Sequence, residues 1–364
     1  MKVTWRQPSP RLAAFVGRAR AAGERLLRRA VPAPVAMLDL LSAGWLAQAI
    51  VAAAELGLAD ALGDESESAE EIAARLQLNP DGTRRLLRAL AQHGIFRQQA
   101  DGRFAASPLS NTLRRAHRDS IRDFALFLGS PTHREHWSWL SRAVARGESA
   151  IPALRGMSFF AYAREHATLG TEFAAAMSNL SALSRDYLLS AYDFSGFGSL
   201  VDVGGGEGLF LSTILSENPG LAGVLFDLPE VIERARARLV PELAARTTLV
   251  GGSFFEPLPA GHDAYLFKHI LHDWDDDAAR RILLAAREAL ASRAAGRLLV
   301  IEMVLPENAL PHVGKLFDLE MLLSVSGRER TRSEFEQLFA SAGLRLRRVV
   351  RTASPLSLLE LALR

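Results

Sequence analysis

The sequence predicts an α/β chain: a Rossmann-like doubly wound sheet with a C-terminal antiparallel hairpin, preceded by an α-helical winged-helix dimerisation domain. Three observations carry that prediction. An apolar strand, V-D-V at 201–203, runs straight into a glycine-dense turn, G-G-G-E-G at 204–208. From there to about residue 302, short apolar runs alternate with helical patterns, as parallel strands joined by crossover helices require. Ahead of them, a helix-turn-helix pattern leads into Asp101-Gly102 between two short apolar runs, which is a hairpin signal.

In chain order, residues 1–35 form a basic arm. Lys2, Arg6, Arg11, Arg18, Arg20, Arg25, Arg28 and Arg29 face a single acid, Glu24. Leu12, Phe15, Val16, Ala19, Leu26, Leu27 and Ala30 recur at helical spacing, and Pro32 and Pro34 end the pattern. Such a helix can lie on an anionic membrane; packing on a partner subunit is the expectation here. Residues 36–113 form the winged helix. An apolar helix runs from Met37 to Leu62, and Ser68 opens a capping box with Glu71. A short helix passes through Arg75 and Leu76, Asn79-Pro80-Asp81 turns the chain, and a second helix spans about 82–92. Ile95–Arg97 and Arg103–Ala105 make the wing. Such a module binds DNA, here through Arg84, Arg85 and Arg88, or it holds two subunits together. With 43 Lys+Arg against 41 Asp+Glu the chain has no basic excess, so dimerisation is expected and nucleic acid is not.

Residues 114–192 read as a helical connector with Trp137, Trp139, Phe159, Phe160 and Phe173. The remainder, 193–364, supplies strands at Ser199–Val203, Gly223–Asp227, Thr247–Val250, Ala264–Phe267 and Leu298–Glu302. Leu344–Val350 and Leu356–Leu361, joined through Ser354-Pro355, form the closing hairpin. The absence of cysteine excludes disulfides, thiolate metal sites and Cys nucleophiles. The longest uncharged run, Leu40 to Ala54, falls short of the roughly 20 residues of a membrane span. No secretory signal is evident at the start, so a cytoplasmic protein is expected.

The glycine turn narrows the ligand. A dinucleotide fingerprint needs a glycine three positions after Gly206, where Leu209 stands. Gly204, Gly206 and Gly208 instead give G-x-G-x-G after an acid, Asp202. Asp227 ends the next strand, where a carboxylate can accept hydrogen bonds from ribose hydroxyls. The loop resembles the S-adenosylmethionine loop of Rossmann-like methyltransferases. Parallel sheets bind ligands beyond the carboxyl ends of their strands. Those ends deliver Gly204–Gly206, Asp227, Gly252–Phe254, Lys268 onward and Glu302.

The fourth segment reads F-K-H-I-L-H-D-W-D-D-D and offers a general base in His272, with His269 as a rival that spacing does not exclude. An imidazole can take a phenol's proton as a methyl group transfers. Glu302 and Glu329, the latter in G-R-E-R-T, are candidates to orient the imidazole. Asp275–Asp277 suit a helix amino terminus and are not completed into a metal site, so no metal is expected.

V-D-V-G-G-G-E-G, F-D-L-P-E-V, G-S-F-F, K-H-I-L-H-D-W, I-E-M-V-L-P and G-R-E-R-T occur in that order. With the winged-helix front end, the chain resembles the small-molecule O-methyltransferases of caffeate, polyketide and phenazine type from about residue 36 onward. The resemblance implies S-adenosylmethionine as cofactor and His272 as base, flanked by Glu302 and Glu329. It matches Gly204, Asp227, Phe254, Lys268 and Trp274 to cofactor positions and makes the connector line the acceptor site. Within E-F-A-A-A-M-S-N-L-S, it places Phe173 and Met177 near the acceptor and Ser181 near the methionine end of the cofactor. Phe160 and Met321 are further pocket candidates. Ser253 stands where many relatives carry Asp; its hydroxyl can still bond the adenine amine, without a charge.

The expected protein is therefore a homodimeric O-methyltransferase acting on a phenolic or enolic hydroxyl of an aromatic small molecule. Two other functions fit the same sequence. One is non-methylating chemistry with the same cofactor, such as hydroxylation, decarboxylation or cyclisation. The other is a ligand-sensing winged-helix regulator.

Overall fold

The computed structural model describes residues 8–63, 65–293 and 295–364; the first seven residues of the basic arm lie outside them. Contacts divide the chain into two compact units. Among the described residues, one holds 8–21, 139–156 and 184–364; the other holds 22–138 and 157–183.

In the second unit, β1 (Phe96–Gln98) and β2 (Phe104–Ala106) pair antiparallel, Phe96 opposite Ala106. Their Phe96 and Phe104 bury against Leu58, Leu62, Ile72, Leu87 and Leu90 of the flanking helices. The capping box forms as expected: Glu71 N donates to Ser68 Oγ and Ser68 N to Glu71 Oε2. Asn79 caps the next helix, which starts at Pro80 rather than after the turn, because proline fits a first helical turn. The apolar helix expected over 37–62 is two helices, Ala33–Glu55 and Leu58–Ala61, broken at Gly57.

One expectation from charge is revised. The helix Ala33–Glu55 is, by length and composition, apolar enough to cross a membrane, and it exposes Met37, Leu38, Leu41 and Trp45. The uncharged run alone underestimates it, since one acid, Asp39, does not interrupt the apolar stretch. The arginines read as DNA candidates are partly neutralised. Arg84 pairs with Glu70 and Asp81, and Arg85 lies 3.9 Å from Asp81.

The first unit is built on β3 (Ser199–Val203), β4 (Ala222–Asp227), β5 (Thr247–Gly251), β6 (Ala264–Lys268) and β7 (Arg297–Leu305). A two-residue strand, β8 (Arg330–Thr331), pairs with the end of β7. Then β9 (Leu344–Arg351) and β10 (Leu356–Leu363) form the antiparallel hairpin. The sheet order is β5-β4-β3-β6-β7-β10-β9, with β3 to β7 parallel. Strand order reverses beside β3, which opens a crevice at the carboxyl ends of β3 and β6. Side chains alternate between faces. Val201, Tyr265, Leu298 and Val300 pack with Ile282 and Leu283 of the helix Asp276–Leu290. Leu200, Leu266, Leu299 and Ile301 pack on the other face with Phe210 and Ile214 of the helix Leu209–Glu217. The same alternation puts Glu302 on the face of Leu298 and Val300, fully buried. It lies inside β7, three residues short of the end, and does not close the strand as its sequence suggested.

Candidate active site

Beyond β3 the backbone turns through Gly204–Gly208 into the helix Leu209–Glu217. Gly206 adopts φ +60°, and a Cβ built there would meet no protein atom within 4 Å. Its N–H donates to Asp227 Oδ2 at 2.8 Å, while Leu228 N–H donates to Oδ1 at 2.7 Å. Asp227 is therefore fixed at the loop, its pKa raised by burial against the pull of those two donors. An open approach beside a held carboxylate fits a ribose-bearing ligand.

Asp202 is placed differently from what its position in the motif suggested. It lies 2 % exposed beneath the loop, so that a Cβ on Gly205 would come 2.6 Å from its Oδ2. Burial pushes its pKa up to about 7 despite Lys268. Lys268 is pushed down to about 8, burial outweighing Asp202 and Glu302. Asp202 and Lys268 thus favour each other's charged form while burial opposes both. Phe254 lies against Gly204 and Ile270, and Trp274 meets Phe254 and Phe255 edge-on at 5.9 and 4.8 Å. Ser253 accepts a hydrogen bond from Phe255 N at 3.3 Å.

After β6 the chain makes a three-residue 3-10 turn, Leu271–Asp273, that carries His272. Its Nδ1 donates to Glu329 Oε1 at 2.8 Å. Glu302 Oε1 accepts from Ile270 N at 3.0 Å and Leu271 N at 2.9 Å, and its Oε2 lies 3.7 Å from His272 Nδ1. Glu302 thus holds the backbone of the turn, and Glu329 holds the imidazole. Asp273 adds a third carboxylate, 3.4 Å from Nε2. Burial disfavours the imidazolium, but Glu302, Asp273 and Glu329 outweigh it and raise the His272 pKa to about 10. Burial also raises Glu302 to about 7 and Asp273 to about 6, against the attraction of His272. With Nδ1 bonded to Glu329, the neutral imidazole keeps the lone pair of Nε2 for an incoming proton.

His269 lies with its ring 5.2 Å from that of His272. Burial, then Lys268 and His272, hold its pKa well below the ordinary value. His269, His272 and Glu302 offer ligand atoms within 4.8 Å of one another, the group a metal could use among the described residues. Glu329 occupies His272 Nδ1, which leaves Nε2 as the free nitrogen for a proton or a metal.

The other candidates divide between the units. Met321 is buried on the helix Gly314–Val325 in the unit of His272. Phe160 and Phe173 belong to the second unit, where they meet Phe159 edge-on at 5.6 and 5.1 Å. Met177 and Ser181 lie one and two turns further along the helix Ala167–Ala191. Sequence reasoning missed Asp273, Gly327 and Arg330. The neighbour of His272 in H-D-W was a signal for the first; the other two act through contacts that no local pattern announces.

A family model described as the O-methyltransferase domain matches residues 137–345, and one described as the O-methyltransferase dimerisation domain matches 38–115. The phenazine O-methyltransferase PhzM of Lysobacter antibioticus is 38 % identical over 91 % of this chain and 96 % of its own. The mitomycin biosynthesis 6-O-methyltransferase of Streptomyces lavendulae is 38 % identical over 89 % and 93 %. CalO1, a methyltransferase in calicheamicin biosynthesis solved with S-adenosylhomocysteine, superposes with a TM-score of 0.83 at 36 % identity, covering 91 % of this chain and 98 % of that one. Some relatives are named for N-methylation.

Proposed function

Because the chain belongs to the O-methyltransferase family and uses S-adenosylmethionine, we propose that it methylates a phenolic or enolic hydroxyl of an aromatic small molecule, with His272 as general base. When bound, the cofactor supplies a methyl group already activated on a sulfonium. The protein's part is to hold the acceptor and move its proton. The observation that carries the reading is the 2.8 Å bond between His272 Nδ1 and Glu329, backed by Glu302 and Asp273. A phenol with pKa near 10 loses its proton uphill to an ordinary imidazole, by more than three units. Glu302, Asp273 and Glu329 raise the conjugate acid of His272 to about 10, so its neutral form is a strong base whose share grows as pH rises. His269, held well below 6.5, is a far weaker base. Met321, buried on the helix Gly314–Val325 in the unit of His272, is read as part of the acceptor's apolar surroundings.

Mass spectrometry of products from a panel of phenazines, hydroxynaphthoates, anthraquinones and aromatic amines tests this. A mass gain of one methylene on hydroxyl acceptors is expected. Methylation of amines alone would overturn it, as would oxidised or decarboxylated products without methyl gain.

The second part of the proposal concerns assembly. The dimerisation domain begins where the arm ends, and Leu12, Phe15, Val16, Leu26 and Leu27 of the helix Pro10–Arg29 are exposed, as are Met37, Leu38, Leu41 and Trp45. Apolar area on this scale calls for a cover, and we assign it to a second copy of the chain. Light scattering should give twice the chain mass at low concentration, and deletion of residues 1–35 should weaken the dimer. An active monomer would sink the assembly; an arm-deleted protein that dimerises unchanged would remove the arm's role.

A further inference from the structure

Four consecutive residues, Gly327–Arg330, close on the turn that carries His272. Arg328 N donates to the His272 carbonyl oxygen at 2.9 Å, and Glu329 takes its Nδ1. Gly327 packs so closely that a Cβ there would collide with that same carbonyl oxygen and lie 2.6 Å from the carbonyl carbon of Asp273. Arg330, 1 % exposed, donates from Nη1 to Leu271 O and from Nη2 to Trp274 O, both at 2.9 Å. Nε and Nη2 also grip Asp276 Oδ1 at 3.0 and 2.8 Å, and Nη1 reaches Arg328 O at 3.4 Å. A buried guanidinium is costly unless its donors are met. Here five donor contacts meet acceptors, and two of these acceptors are the carbonyls that bracket the His272 turn.

We propose that Arg330 is the positioning residue of the base: it fixes the 271–274 backbone from both sides, with Gly327 admitting the close approach this needs. The proposal rests on His272 being the base. Arg330 touches no reacting atom. It acts by keeping Nδ1 on Glu329, so that Nε2 keeps one direction. A displacement of about 1 Å at a reacting group can cost about 10²-fold in rate, so the consequence is kinetic as well as structural.

The test compares wild type with Arg330→Lys, Arg330→Met, Gly327→Ala and His272→Ala. Calorimetry with S-adenosylhomocysteine selects folded, cofactor-competent variants. Turnover is then read on hydroxynaphthoates and nitrophenols of graded acidity. Arg330→Met and Gly327→Ala should lose about 10–100-fold on weakly acidic hydroxyls and little on acceptors already ionised, with Arg330→Lys between them and wild type. A proton NMR signal of His272 Nδ1–H, identified by its loss in His272→Ala, should shift or vanish in Arg330→Met and Gly327→Ala; this readout needs no acceptor. Equal losses for every acceptor, or an unmoved signal, would overturn the proposal. Full turnover by His272→Ala on weakly acidic hydroxyls would instead overturn the base reading, and the positioning role with it.

Discussion

His272→Ala should lower turnover on weakly acidic hydroxyls by about 10²–10⁴-fold while leaving S-adenosylhomocysteine binding nearly intact. The loss follows from removing a base, and cofactor affinity is spared because the glycine loop and Asp227 belong to separate strand ends. It should shrink as the acceptor becomes acidic enough to ionise unaided. Glu329→Gln and Glu302→Gln should cost less. The first weakens the 2.8 Å bond to Nδ1, and the second disturbs the acceptor for Ile270 N and Leu271 N. His269→Ala serves as the control. If it abolishes turnover in a folded, cofactor-binding protein while His272→Ala retains activity, the assignment is wrong.

The same geometry sets the pH dependence. A general base works in its neutral form, and the His272 conjugate acid has a pKa of about 10. Turnover should therefore climb with pH through the neutral range toward about 10, where an ordinary imidazole would level off near 6.5. Glu329→Gln removes one of the carboxylates that favour the imidazolium, so its rising limb should move to lower pH. A limb that stays put, or moves up, would show that Glu329 does not tune this group.

The strands were legible because each parallel strand is a short apolar run bounded by glycine, proline or charge; their order in the sheet was not. Glu302 was legible as a site residue but not as an interior strand position, because I-E-M-V-L-P stays apolar on both sides of it. Asp202 shows the opposite limit. Its motif marks a ligand loop, yet its inward position on β3 sends the carboxylate beneath the loop. Gly327 and Arg330 were invisible for another reason. Their partners, Leu271 to Asp276, lie more than fifty residues away in sequence, beyond the reach of any local pattern.

Gly206→Val should abolish measurable binding of S-adenosylhomocysteine in a protein that still folds. Two effects act together. Gly206 adopts φ +60°, a conformation that costs a β-branched residue on the order of 1–2 kcal/mol. Relaxing that strain would swing the Gly206 N–H away from Asp227 Oδ2 and release the carboxylate held there at 2.8 Å. If the loop keeps its shape, the valine methyls project where a Cβ meets no protein atom within 4 Å, which is the approach left open for the ligand. Gly206→Ala separates the two effects: it carries less strain and a smaller intrusion, and should weaken binding without abolishing it. Asp227→Asn keeps the loop glycine but removes the charge, and should weaken binding as well. Calorimetry on thermally intact variants decides the matter. Wild-type affinity in Gly206→Val would mean that the cofactor does not lie over this loop, and binding of NAD in its place would overturn the cofactor assignment altogether.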